Sequence, residues 1–184
     1  MTTLLPFRLP LTALLACALG LGLAPRGFAD STPTPANPFH RFFGEWTLKD
    51  ERWSHNWGGE TEAIKIPGHH TLGRAINTDN SLLMIVAGPP PHGHILWTYD
   101  RRTGALQHLS SFGPRRIGTG QGRITDRGDV TLKASFSDEA PGTYRLYTYR
   151  WISADEYELR SVQHGTDDKP TGLFYGGIFV RMKP

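Results

Sequence analysis

Beyond Gly44 the chain keeps a period of two. Glu45-Trp46-Thr47-Leu48-Lys49 alternates polar and apolar side chains, the mark of a strand buried on one face. Strand patterns return over 61–66, 71–77, 82–87, 94–100, 105–112, 118–125, 130–136, 143–152, 156–164 and 173–182. Turn formers punctuate them: Thr78-Asp79-Asn80, residues 100–104, Asp126-Arg127-Gly128-Asp129, Ala154-Asp155 and residues 166–170. No segment after Gly44 carries the pattern of an amphipathic helix, which removes parallel designs that need crossover helices. Short connectors favour consecutive hairpins, and an open meander of this many strands would expose two edges, so closure is expected. The predicted fold is all-β: an antiparallel up-and-down barrel of about ten strands.

Three local patterns refine that picture. Asn37-Pro38 predicts an N-cap followed by Pro at the first helical position, opening a single helical turn over 39–43 that Gly44 stops. Its Phe39, Phe42 and Phe43 suit a plug for one barrel end. Gly88-Pro89-Pro90-Pro91 predicts a rigid loop over one mouth. Gly118-Thr119-Gly120-Gln121-Gly122 lacks the Lys-Ser/Thr and the helix of a phosphate loop, and predicts a strand with bulges.

The first 29 residues do not fit the fold. They contain no acidic residue and run from Arg8 through an apolar stretch, 9–23, to Gly27-Phe28-Ala29. That is the order of a secretory signal cleaved after Ala29. The apolar stretch falls short of the roughly 20 residues of a membrane span, so no transmembrane span is expected in the mature form. The expected organisation is a signal over 1–29, a Ser/Thr/Pro-rich linker over 30–37 and a barrel domain over 38–184. The expected location is periplasmic or secreted. The alternative is a lipid anchor through Cys17, since Leu14-Leu15-Ala16-Cys17 is a loose lipobox, but residues 18–24 stay apolar where a tether turns polar.

Removing the signal also changes the charge. Arg8 and Arg26 leave with it, so 18 basic residues face 17 acidic ones. The pairs Arg101-Arg102 and Arg115-Arg116 fall in predicted turns as solvated charge, and no basic face for nucleic acid is expected. The only cysteine, Cys17, lies within the signal, so the barrel has no disulfide and relies on packing. The sequence leaves the oligomeric state open.

Strand alternation yields the candidate site. Trp46 and Leu48 share a face whose parity continues to Asp50 and Arg52. Ile95, Trp97 and Tyr99 share another, and Tyr157, Leu159, Ser161 and Gln163 a third. Over 143–152, Arg145, Tyr147, Tyr149 and Trp151 form one face and Tyr144, Leu146, Thr148 and Arg150 the other; either suits the interior. The candidate ligand-binding residues are Trp46, Trp97, Tyr99, Tyr157 and Arg150, the arginine because a guanidinium holds carboxylate or phosphate bidentately. An equally simple reading has the aromatics filling the core and the arginine solvated.

Eight histidines are available. His92-Gly93-His94 would set two imidazoles on one strand face, a weak metal candidate whose third ligand must come from His69, His70 or His108. Ser110-Ser111 beside His108 has the look of coincidence, and no Gly-x-Ser-x-Gly elbow is present, so no catalytic residue and no cofactor are assigned.

Phe43-Gly44-Glu45-Trp46, the turn Tyr99-Asp100-Arg101-Arg102-Thr103-Gly104 and the strand start Gly128-Asp129-Val130-Thr131-Leu132 together resemble the lipocalin-like (calycin) β-barrels. Tyr149-Arg150-Trp151-Ile152, Asp155-Glu156-Tyr157 and the final Phe179-Val180-Arg181 extend the likeness to a bacterial, mostly uncharacterised barrel family. The resemblance implies a closed barrel with an internal cavity. It implies no haem, because Glu45 and residues 49–52 depart from the Gly-x-Trp-x-Gly-x-Gly opening of haem-binding barrels. The expected function is binding of a small apolar or amphipathic molecule; the alternatives are a metal-assisted or acid–base enzyme using His92/His94 or Asp50/Arg52, and a structural envelope protein without ligand.

Overall fold

The computed structural model describes residues 36–76 and 79–183. The expected signal, Cys17 and most of the linker lie outside these residues. The strands are β1 (Gly44–Leu48), β2 (Arg52–Asn56), β3 (Glu62–Lys65), β4 (His70–Arg74), β5 (Ser81–Ala87), β6 (Gly93–Asp100), β7 (Ala105–Phe112), β8 (Arg116–Ile124), β9 (Val130–Phe136), β10 (Tyr144–Ser153), β11 (Glu156–His164) and β12 (Pro170–Arg181). From β4 to β12 each strand pairs antiparallel with the next, and β1 bridges β4 and β12. The result is the closed ten-stranded up-and-down barrel that the alternation predicts. No helix among the described residues is long and apolar enough to cross a membrane.

The predicted aromatic turn is a 3-10 turn, His40–Phe42, that buries Phe39 and Phe42 completely or nearly so. Asn37 Oδ1 accepts the Phe39 amide hydrogen (2.9 Å), and Gly44 leaves the turn at φ 102°. Gly73 of β4 lets the Phe42 carbonyl approach the barrel wall; a Cβ there would overlap it.

Two strand expectations need correction. The first strand does not continue past Leu48. A second 3-10 turn, Lys49–Glu51, interrupts it, with Asp50 and Glu51 at φ 53° and 57°. The charged run Lys49-Asp50-Glu51-Arg52 has nothing to bury, and Asp tolerates positive φ. Three inserted residues reverse the parity. Trp46 and Leu48 face inward before the turn and Trp53 after it, while Asp50 and Arg52 are solvent-exposed. The unpredicted β2 then pairs with residues 174–176 of β12, below the 179–181 segment that pairs with β1. Strand β3 pairs with β2 and ends the sheet.

Strand β8 carries no bulge, since it pairs with β7 and β9 in unbroken register. Gly118, Gly120 and Gly122 instead face inward together. A side chain at Gly118 would collide with the Phe136 ring and Ser110 Oγ, so the glycines let β7 and β9 close their side chains over β8.

Candidate functional site

The barrel interior has a filled end and a hollow end. At the filled end the Phe42 ring lies 4.8 Å from Trp151 and 5.5 Å from both Trp97 and Tyr157, mostly edge-on. The indole N–H groups are satisfied: Trp46 donates to the Phe42 carbonyl (3.1 Å) and Trp151 to the Gly128 carbonyl (2.9 Å). Trp46 and Trp97 therefore pack around the plug rather than wall a pocket. Tyr99 also lies outside the pocket wall, partly buried against the core.

Beyond Tyr149 and Tyr157 the interior opens into a cavity of about 360 Å³. Its wall is mainly aromatic, with Trp53, Trp57, Phe112, Phe136, Tyr147 and Tyr175 among the contributors. Pro91 reaches it, so the Pro-rich loop borders the mouth as predicted. Of the five candidate ligand residues, Tyr157 alone lines this space.

On β10 the face carrying Arg145, Tyr147, Tyr149 and Trp151 is buried, and Arg150 is outside. The heavier aromatic face goes inward because it buries more apolar area. Arg150 sits 63% exposed in an ion pair with Glu158 (2.8 Å). Arg145 takes the inward position, 4% exposed, with its guanidinium 5.0 Å from the Tyr175 ring and 5.7 Å from Trp57. Its Nε donates to Glu139 Oε1 at 2.6 Å. Arg116, predicted as turn charge, also lines the cavity; its terminal nitrogens donate to Asp138 (2.6 Å) and Glu139 (3.0 Å). Gln163 adds a donor to Glu139 Oε2 at 3.2 Å. Burial pushes the Glu139 carboxyl up, but the hydrogen bonds from Arg145 and Arg116 outweigh it and hold the group below the usual carboxylate range. Arg145 Nη1 remains buried without a hydrogen-bond partner.

On β7, next to the strand that carries Arg116, the buried Trp97 Nε1 donates to His108 Nδ1 at 2.9 Å, and His108 Nε2 lies 2.9 Å from Ser110 Oγ. An indole nitrogen only donates, so Nδ1 is the acceptor and the neutral ring carries its hydrogen on Nε2. His108 therefore donates to Ser110, which leaves the serine hydroxyl hydrogen free to point elsewhere. Burial pushes the His108 pKa down to about 4, keeping the ring neutral. This polarity is the reverse of what a serine nucleophile requires: the nitrogen facing Ser110 already holds a proton. His69 also lines the cavity; burial, with a contribution from His70, lowers its pKa, and its Nδ1 has no partner. Tyr147 and Tyr175 hydrogen-bond hydroxyl to hydroxyl, and burial holds the Tyr147 phenol well above its ordinary pKa.

The weak metal candidates do not assemble. His92 precedes β6 and contacts the Gly88 carbonyl within the loop, while His94 is exposed on the outer face. Among the described residues no three His, Cys, Asp or Glu side chains converge. Asp50 and Arg52 stand on the outer surface. The missed residues left one signal in the sequence: on 105–112 the buried parity is Leu106, His108, Ser110 and Phe112, a polar pair inside an apolar frame.

No protein-family model and no curated protein matches the chain. Among solved structures, EF1p2_mFAP2b bound to DFHBI is similar over 79% of this chain and 98% of its own, at 8% identity and a TM-score of 0.36. A protein of unknown function from the DUF3598 family of Nostoc punctiforme is similar over the same shares, at 9% identity and a TM-score of 0.20. The barrel assignment rests on the strand pairing above and not on these likenesses.

Proposed function

We propose that the chain is an exported lipocalin-like barrel that binds one small apolar or amphipathic molecule in its hollow end. The observation that carries this reading is the cavity of about 360 Å³, aromatic-walled and supplied with a few inward polar groups. That combination is characteristic of small-molecule sites, which orient a mainly apolar ligand with sparse hydrogen bonds. The reversed polarity of the His108–Ser110 pair argues against acyl-transfer chemistry at that pair. Export is proposed from the charge and apolar order of residues 1–29; a mature chain beginning at Asp30 in the secreted or periplasmic fraction would support it.

Titration with the neutral dye N-phenyl-1-naphthylamine tests the binding reading. Saturable one-to-one binding is expected, weakened about tenfold by Val86→Phe, which fills the cavity from β5. Absence of binding, or binding indifferent to Val86→Phe, overturns the assignment.

A further inference from the structure

We infer that the ligand is an anionic amphiphile, a carboxylate on an aromatic body, and that the Arg145 guanidinium is the seat of the carboxylate. The inference rests on the binding reading above and specifies the chemistry of that same cavity. Arg145 is 4% exposed, lines the cavity and keeps one terminal nitrogen unpartnered. A buried guanidinium with an unmet donor carries a desolvation cost, which a carboxylate on its cavity side offsets.

The neighbouring cation does not compete for that role. Both terminal nitrogens of Arg116 are already engaged, by Asp138 and Glu139. An unmet guanidinium donor favours an anion over a neutral acceptor, because the charge-assisted hydrogen bond is the stronger. Arg145 and Arg116 share the single buried carboxylate of Glu139, while Asp138 is 40% exposed and balances Arg116 from solvent. The four groups are formally neutral, but neither carboxylate reaches Arg145 Nη1, and inside walls of low polarity charge-assisted hydrogen bonds gain strength.

The body of the ligand follows from the walls. Tyr175 and Trp57 flank the guanidinium, and Trp53 stacks on Tyr175 with ring centroids 5.5 Å apart and planes 22° apart. Flat rings there match an aromatic body better than a branched aliphatic one. A cavity of about 360 Å³ has room for a ligand of about the size of a substituted bicyclic arene. Trp57 is 56% exposed and borders the cavity, so the ligand would enter past it with its carboxylate near the mouth.

Calorimetric titration of the full chain with 1-naphthylacetate and its neutral isostere 1-naphthylacetamide tests the inference. The carboxylate should bind at least about tenfold more tightly than the amide. Arg145→Met should remove that preference, weakening the carboxylate much more than the amide. Because Arg145→Met also takes a partner from Glu139 and can unfold the mouth, Arg145→Lys provides the second test: it keeps the charge but loses the fork, and should lose most of the preference. Equal binding of the two probes overturns the inference, as does a carboxylate preference that survives both substitutions. Binding of the neutral dye without either naphthyl probe overturns it while the cavity reading stands. If dye and both probes all fail to bind, both readings fall together.

Discussion

At the scale of single residues, the direction of hydrogen bonding decides more than proximity. His108 and Ser110 are close enough for catalysis, but Trp97 consumes the lone pair a base would need. The same burial makes His108 a source of acid sensitivity. Its folded pKa, about 4, lies below the ordinary 6.5, so between those values the unfolded chain binds the extra proton and stability falls as pH falls. The full effect is on the order of 3 kcal/mol, and the buried His69 shifts in the same direction. Urea denaturation should show stability declining from pH 7 to pH 4.5, a decline that His108→Gln largely removes. A flat profile for the parent chain would contradict the assignment. Legibility at this scale was uneven. Alternation separated Arg145 from Arg150 but not inside from outside, because period two is symmetric between the faces; only the weight of Tyr147, Tyr149 and Trp151 against Leu146 and Thr148 distinguishes them. Glu139 left no signal, since it lies in a turn and becomes interior only when Arg116 and Arg145 converge on it from different strands.

At the scale of elements, the strands from β5 to β12 were legible because each is a simple alternation bounded by turn residues. Of β1 to β4, β1, β3 and β4 were legible and β2 was not. There a three-residue turn reverses parity, which a periodicity measured across Leu48 to Arg52 cannot register. The β2–β3 hairpin that results is the least supported part of the wall. All four residues of β3 are exposed, and it pairs with β2 alone. Hydrogen exchange should therefore find the amides of residues 62–65 much less protected than those of 70–74, which lie in β4 between two strands. Equal protection would mean that the hairpin is held by something other than its pairing.

For the whole molecule, the plug fixes which end is solid. Phe42 meets four aromatic rings contributed by β6, β10 and β11, so it ties the turn to strands distant in sequence. Phe42→Ala should cost about 3–5 kcal/mol in urea unfolding, measured at pH 7 so that His108 does not contribute. A loss below about 1 kcal/mol would show the turn to be dispensable. Strand β12 carries a consequence of a different kind. It receives both β1 and β2, pairing Arg181 with Trp46 and Phe174 with Asn56, so the first strands and the last form one seam. A chain made from its N-terminus has no partner for that edge until β12, more than a hundred residues on, exists. Barrel closure thus joins strands over a very long loop, which predicts slow folding governed by contact order and an open, edge-exposed barrel until β12 is made.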